Sequence, residues 1–273
     1  MRLTIITINY NDLEGLTKTT RSLVMQSLQD YEWIVIDGGS TDGSKEYLES
    51  LERQPDYWCS EPDGGVYPAM NKGIAKASGE YILFMNAGDT FHADSTLEHA
   101  MKYDFTEDVV YGDACFLFKK KQGIRVYDET MTLKRLYDYS INHQSTFIKT
   151  SLLKEKGYDV NYKIVADAKR FVEMFIEGCS FRHLPMIISD YDTTGVSSTN
   201  EEAVCKERER FFKELLPDYT IDVLKDWLRY QNKPCRQTAV YCSESKFFKK
   251  LIRANLHFVT WMNGFLHLTN KVK

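Results

Sequence analysis

An α/β protein with a mostly parallel, twisted sheet flanked by helices, followed by a helical carboxyl-terminal extension, is the fold class the sequence predicts. Two observations carry it. Short β-rich runs alternate with stretches of helical periodicity from the first residues to Phe118, the pattern of strands joined by crossover helices. Several of those strands also end in Asp, Asn or Gly, the residues expected where an open sheet receives ligands at its carboxyl edge.

Leu3 to Ile8 opens as a strand, and Asn11 or Asp12 can cap a helix whose apolar positions are Leu16, Leu23 and Val24. Glu32 to Ile36 is the second strand, after which Asp42 or Ser44 can cap a helix through Tyr47, Leu48 and Leu51. The alternation continues with strands at Tyr57 to Ser60, Tyr81 to Met85 and Val109 to Phe118, and helices near Val66 to Ala77 and Ser95 to Tyr103. Lys119 to Arg125 then reads as a charged turn, Leu133 to Tyr139 as a short helix, and His143 to Ile148 as a strand entered through polar residues. A helix over Ile164 to Phe175 stops at Gly178, a strand follows at Phe181 to Ile188, and Gly195 to Ser198 lies in a polar loop. From Glu201 onward the chain is helical and charged, broken at Pro217 and Pro234. The implied organisation is one domain over residues 1–200, in two halves at 1–118 and 119–200, and a helical extension at 201–273.

Composition excludes several classes. A net charge of −4 in 273 residues gives no basic field for nucleic acid. The six cysteines are scattered without a C-x-x-C pair, which suits reduced cytosolic thiols rather than a disulfide framework or a zinc site. No run of apolar residues is long enough to span a bilayer, so a cytoplasmic location is expected. The dinucleotide fingerprint G-x-G-x-x-G does not follow the first strand, and no phosphate-binding G-x-x-x-x-G-K-[ST] loop occurs.

One ordered set of motifs is specific. Asn9-Tyr-Asn11, Ile36-Asp-Gly-Gly-Ser-Thr-Asp-Gly-Ser44, Glu61-Pro-Asp-Gly-Gly65, Met70-Asn-Lys-Gly73, Gly79 to Phe84 with Asn86-Ala-Gly-Asp89, and His143-Gln144 resemble the family 2 inverting glycosyltransferases of the GT-A fold. The resemblance covers about the first 200 residues and is strongest to the bacterial branch that builds polysaccharides and lipopolysaccharide. It implies transfer of a sugar from a nucleotide donor, a UDP-sugar by preference, to a glycan or polyprenyl-linked acceptor. Within that resemblance Asp37 receives the base, Thr7, Asn9 and Asn11 line the nucleotide at the first strand, and Asp63, Asn71 and Lys72 form the second wall. Asn86 joins the nucleotide set, and Asp89 holds Mn²⁺ or Mg²⁺ against the diphosphate. Asp167 matches the general base, Asp190 and Asp192 being the rivals, and His143 and Gln144 face the acceptor.

The chain departs from the family pattern at Asn86 and Gly88, where acids are common, at Pro68, and at Thr194 to Ser198, where a metal-binding histidine is common. A nucleotide-sugar-binding protein without catalysis would keep Asp37 and Asp89 but has no need of Asp167. A membrane scaffold would account only for the tail. There Lys246, Lys249, Lys250, Arg253 and His257 share one helical face and Phe248, Leu251, Ile252, Phe258 and Met262 another, a pattern that suits either an anionic membrane surface or a packing helix. Monomer and oligomer are equally compatible with the sequence.

Overall fold

The computed structural model describes residues 3–118, 121–193 and 200–231. The basic amphipathic segment from Lys246 and the loop at Gly195 to Ser198 lie outside the described residues. By its contacts the chain divides into a first unit, Met1–Glu214, and a second, Leu215–Lys273.

The first unit is built on one sheet. β1 (Leu3–Asn9), β2 (Tyr31–Asp37), β3 (Tyr57–Ser60) and β4 (Tyr81–Phe84) are followed by β5 (Thr90–Phe91), β6 (Val109–Phe118), β7 (Lys121–Arg125), β8 (Thr146–Lys149) and β9 (Phe181–Asp192). They pair in the order β3-β2-β1-β4-β8-β6-β9-β5, with β7 added to β6. The four strands β3-β2-β1-β4 are mutually parallel. β1 and β2 are buried along their whole length, which is why they read as continuous apolar runs rather than as alternations. β8 interrupts the parallel pairing, running antiparallel to both β4 and β6, and β6 then pairs parallel with β9.

The helices lie over this sheet because their apolar stripes have nowhere else to go. α1 (Leu13–Val24) is capped by Asp12, whose carboxylate accepts from Gly15 N–H at 2.9 Å. α2 (Ser44–Ser50) starts from Gly43 at φ 96°, and Asp42 holds Ser44 instead of capping the helix. α3 (Val66–Lys76) lies so close to β1 that a Cβ at Gly73 would meet Ile6 Cγ2 at 2.6 Å. α4 (Thr96–Ala100), α5 (Leu133–Asp138), α6 (Thr150–Glu155) and α7 (Ala166–Ile176) follow in the first unit. Leu3, Ile5, Leu16, Trp33, Leu83, Val110, Phe147 and Ile188 belong to one continuous core.

Three expectations are corrected. Lys121–Arg125 is not a turn but the return strand of a hairpin, registered Ala114 to Arg125 and Phe118 to Lys121. Its alternation is masked because both faces carry polar or charged residues. His143–Ser145 is a 3-10 turn, and the strand begins only at Thr146. β9 continues past Ile188 to Asp192, bulging where it passes Gly112 and Asp113.

α8 (Glu201–Leu215), grouped with the extension by its charge, belongs by contact to the first unit, where Phe211 and Phe212 are buried. The second unit contains α9 (Asp218–Gln231), which begins just after Pro217, the break its sequence predicts. No helix among the described residues is long and apolar enough to cross a membrane. Cys59, Cys115, Cys179 and Cys205 are free thiols.

The bulge brings β9 close onto Gly112. A Cβ at Gly112 would stand 2.5 Å from Ile188 Cγ1 and 2.8 Å from the Met186 carbonyl oxygen. Gly112→Ala is expected to cost about 1–3 kcal/mol of stability, because backbone as well as side chain must move. Urea denaturation measures it, and a variant within error of wild type would show that the bulge absorbs the methyl group.

Candidate active site

The parallel strands bring three polar residues into one row, since Asn9 pairs with Asp37 and Asp37 with Ser60. Asp37 is fully buried and accepts four hydrogen bonds, from Asn9 Nδ2 (2.8 Å), Ser40 Oγ (2.5 Å), Ser40 N–H (2.9 Å) and Ser60 Oγ (2.6 Å). Burial pushes its pKa up, but these donors outweigh it and hold the carboxyl below the usual range. All its acceptor directions are therefore engaged. The acceptor left open beside it is Asn9 Oδ1, buried and without a partner.

Around this row the loops are stapled together. Asn11, at φ 50°, accepts from Thr41 N–H (2.9 Å), and its own N–H donates to Ser40 Oγ (2.7 Å). Asp63 accepts from Gly65 N–H (2.8 Å) and lies across Gly38 from Tyr10. Tyr10 is 68% exposed and offers its ring at the edge of the cluster. The sequence signal for it was an aromatic residue between two asparagines, which the polar reading of Asn9-Tyr-Asn11 passed over.

Three other expected nucleotide residues are committed elsewhere. The Thr7 hydroxyl is fully buried and accepts from Trp33 Nε1 (3.2 Å). Asn71 spends both ends of its amide on the main chain of Tyr158, each at 2.8 Å. Lys72 pairs with Glu61 at 2.8 Å.

The turn after β4 is clamped from α1. Thr19 Oγ1 reaches the carbonyls of Asn86 (3.0 Å) and Asp89 (2.7 Å), and Lys18 Nζ donates to the Gly88 carbonyl (2.8 Å). Gly88 sits at φ 95°, a conformation that favours glycine over the acid common at this place. Asp89, only 4% exposed, accepts from Gln144 Nε2 (2.8 Å) and Asp192 N–H (2.9 Å). Two donors do not offset its burial, and its pKa is raised to about 6. Gln144, expected to face the acceptor, is turned onto Asp89. Among the described residues no three His, Cys, Asp or Glu side chains converge as metal ligands.

A second line of hydrogen bonds runs from this turn to α7. Asn86 Nδ2 lies 2.9 Å from His143 Nε2, and His143 Nδ1 lies 2.8 Å from Asp167 Oδ2. The Tyr67 hydroxyl, 2.7 Å from the Ile164 carbonyl, is 2.9 Å from Asp167 Oδ1. Burial raises the Asp167 pKa, yet the donors His143 and Tyr67 bring it below the ordinary value. Of the rivals, Asp190 pairs with His92 at 2.7 Å, while Asp192 donates its N–H to Asp89 and has its carboxylate near Gly88.

Sequence reasoning missed the support from α8. Glu207 accepts from the N–H groups of Lys163 (2.8 Å), Ile164 (2.9 Å) and Val165 (3.2 Å), fixing the approach to α7. Arg208 donates to the carbonyls of Leu136 (3.3 Å) and Tyr137 (2.9 Å) and acts electrostatically on Asp167. Nothing local in a charged helix distinguishes these two from its solvated neighbours.

Residues 4–164 match the model of the family described as glycosyl transferase family 2. An uncharacterized glycosyltransferase of Mycobacterium tuberculosis is 35% identical over 205 residues, 73% of this chain and 78% of the relative. A PGL/p-HBAD biosynthesis glycosyltransferase of Mycobacterium bovis is 28% identical over 189 residues, 66% of this chain and 69% of the relative. Among solved structures, Staphylococcus aureus TarS 1–349 in complex with UDP superposes at TM-score 0.58 with 20% identity, spanning 70% of this chain and 60% of that one. The mannosyltransferase PcManGT of Pyrobaculum calidifontis in complex with GDP-Man and Mn²⁺ does so at 0.61 with 15% identity, spanning 95% and 80%. At these identities the two structures establish the GT-A architecture.

The elevated pKa of Asp89 makes stability depend on pH. Below about pH 3 the folded and unfolded chains both hold the proton and Asp89 contributes nothing. As pH rises toward 6 the unfolded carboxyl, at 3.8, ionises first, so stability falls; above 6 the full cost, on the order of 3 kcal/mol, is present. Asp89→Asn should be less dependent on pH, so that wild type loses stability relative to it between about pH 4 and 7. Urea midpoints in chelator at both pH values measure the difference, and a constant difference would contradict the burial of an ionised Asp89.

Proposed function

The chain belongs to glycosyl transferase family 2, and we propose that it transfers a sugar from a UDP-sugar, with inversion, to a hydroxyl of a glycan or lipid-linked acceptor in cell-surface polysaccharide synthesis. The single observation that carries the reading is the hydrogen-bonded line from Asn86 through His143 to Asp167. It sets an ionised, geometrically fixed carboxylate beside the turn that receives the donor.

In this reading the uracil ring stacks on exposed Tyr10, and its N–H meets the open carbonyl of Asn9 beside Asp37, or displaces one of the serine hydroxyls that now satisfy Asp37. Asn86 Oδ1, also buried without a partner, accepts from a ribose hydroxyl. Asp63 and Lys72 stand on the opposite wall, Lys72 exchanging Glu61 for phosphate. Asp167 takes the proton of the acceptor hydroxyl as its oxygen bonds to the anomeric carbon. The bond to the diphosphate breaks on the opposite face, and its electron pair leaves with the nucleoside diphosphate. General-base assistance of this kind is worth about 10²–10⁴-fold.

The residues present fit a divalent ion that arrives with the diphosphate rather than one caged by protein. Magnesium commonly uses one or two carboxylates and completes its shell with phosphate and water oxygens. Asp89, with acceptor capacity beyond its two donors and a pKa raised by burial, is a carboxylate that a cation would relieve. Mn²⁺ or Mg²⁺ held there would neutralise charge developing on the leaving diphosphate. For a lipid-linked acceptor the enzyme works at the inner face of the membrane, where the basic tail from Lys246 would meet anionic lipid.

Two measurements test the reading. Asp167→Asn should lower turnover of the nucleotide sugar by about 10²–10⁴-fold while leaving UDP affinity unchanged; unimpaired turnover would assign the base to another residue. UDP binding, followed by calorimetry, should tighten on adding Mn²⁺, and Asp89→Ala should abolish that gain. Equal affinity of the wild type in chelator and in Mn²⁺ would remove the metal from Asp89.

A further inference from the structure

The hairpin of β6 and β7 runs out of the core toward its tip. β6 is buried from Val109 to Cys115, half-buried at Phe116 and Leu117 and exposed at Phe118, while β7 is exposed almost throughout. Its register places Phe116 and Phe118 on the face that also carries Lys121 and Arg125, and Ile124 with Cys115 on the other. Phe118 is 44% exposed, Ile124 59% and Val126 71%. A two-stranded ribbon open on both faces is marginal in water by itself, and exposed apolar side chains gathered on one ribbon mark a surface of interaction.

The charge of the hairpin says what that surface fits. The chain carries a net charge of −4, yet the stretch from Ala114 to Tyr127 holds Lys119, Lys120, Lys121 and Arg125 and no acid. Lys121 Nζ lies 5.5 Å from the centre of the Phe118 ring, and the Arg125 guanidinium 5.0 Å from that of Phe116. Each cation thus lies along an aromatic body, an arrangement suited to a boundary where rings enter an apolar layer and cations reach phosphate. The acids of β9, Asp190 and Asp192, stand across β6 from β7, and Asp190 is paired with His92.

We propose that the outer part of this hairpin, Phe118, Lys121, Ile124, Arg125 and Val126, is a foot that docks on an anionic membrane surface. The proposal deepens the reading of a lipid-linked acceptor and rests on that reading only for the use to which the contact is put. A glycan has no counterpart for the branched aliphatics Ile124 and Val126, whereas acyl chains do. A second copy of the chain is disfavoured because Lys121 and Arg125 on the edge strand would meet like charges. The foot is joined to the candidate site through main chain: Thr193 donates its N–H and hydroxyl to the Leu117 carbonyl, and the Asp192 N–H donates to Asp89. Docking would therefore hold the Asp89 turn at the lipid surface.

The test mixes full-length protein with vesicles of phosphatidylcholine, alone or with phosphatidylglycerol. Lys121→Gln with Arg125→Gln should bind the anionic vesicles about tenfold more weakly than wild type, and high salt should narrow that difference. Ile124→Trp should add an emission component, absent from wild type, that brominated acyl chains quench on anionic vesicles. This signal is local to the hairpin, so attachment through the segment from Lys246 does not imitate it. Vesicle binding without added quenching, or undiminished binding by the double variant, overturns the proposal. So does loss of nucleoside diphosphate release by the double variant without vesicles, which would make the hairpin a glycan contact. A dimer in sedimentation velocity that Ile124→Glu dissolves would give the surface to a second copy and also overturn it. Asp167→Asn should bind vesicles as wild type does, so the transfer reading and the membrane foot can fail separately.

Discussion

A buried carboxylate joins the two halves of this domain. Asp89 leaves the parallel strands at the end of the turn after β4, and its two oxygens are held by Gln144, from the turn before β8, and by the main chain of Asp192, at the end of β9. Those partners come from segments 55 and 103 residues away in sequence. Burial of an acid with only two donors is unfavourable by itself, so the joint persists because the surrounding structure imposes it. Thr19 and Lys18 hold the backbone of the same turn from α1, and Asn86 can then reach His143.

The three aspartates of the site show how the kind of donor, as well as the number, sets acidity. Asp37 gathers four hydrogen bonds at the ends of β1, β2 and β3 and is held ionised. Asp167, with His143 and Tyr67 and a helix amino terminus, is also held below the ordinary value. Asp89 lacks such compensation and is raised to about 6. The same residue type is thus held ionised at two positions and left uncompensated by its donors at the third.

Support for Asp167 comes from far along the chain. Glu207 on α8 ties down three consecutive amides ahead of α7, and Tyr67 on α3 reaches Asp167 from a hundred residues upstream. α8 therefore braces the approach to α7 although its composition resembles a solvated appendage. Its buried face is narrow, essentially Phe211 and Phe212, and a narrow apolar stripe in a charged helix gives periodicity little to register.

The sequence by itself determined the parallel half. Apolar runs such as Leu3–Asn9 and Tyr31–Asp37 are buried on both faces, so their strand character is written in consecutive residues, and the polar residues that close them mark the ligand edge. It also determined which residue types were available for chemistry, because Asp37, Asp89, His143 and Asp167 stand in an ordered set of local motifs. The tertiary structure alone decided what each of them touches. Gln144 turns onto Asp89, Asn71 clamps Tyr158, Thr7 closes against Trp33, and Lys121–Arg125 pairs as a strand. Each outcome depends on a partner distant in sequence: hydrogen-bond geometry and desolvation are properties of the packed neighbourhood, and no local pattern encodes them.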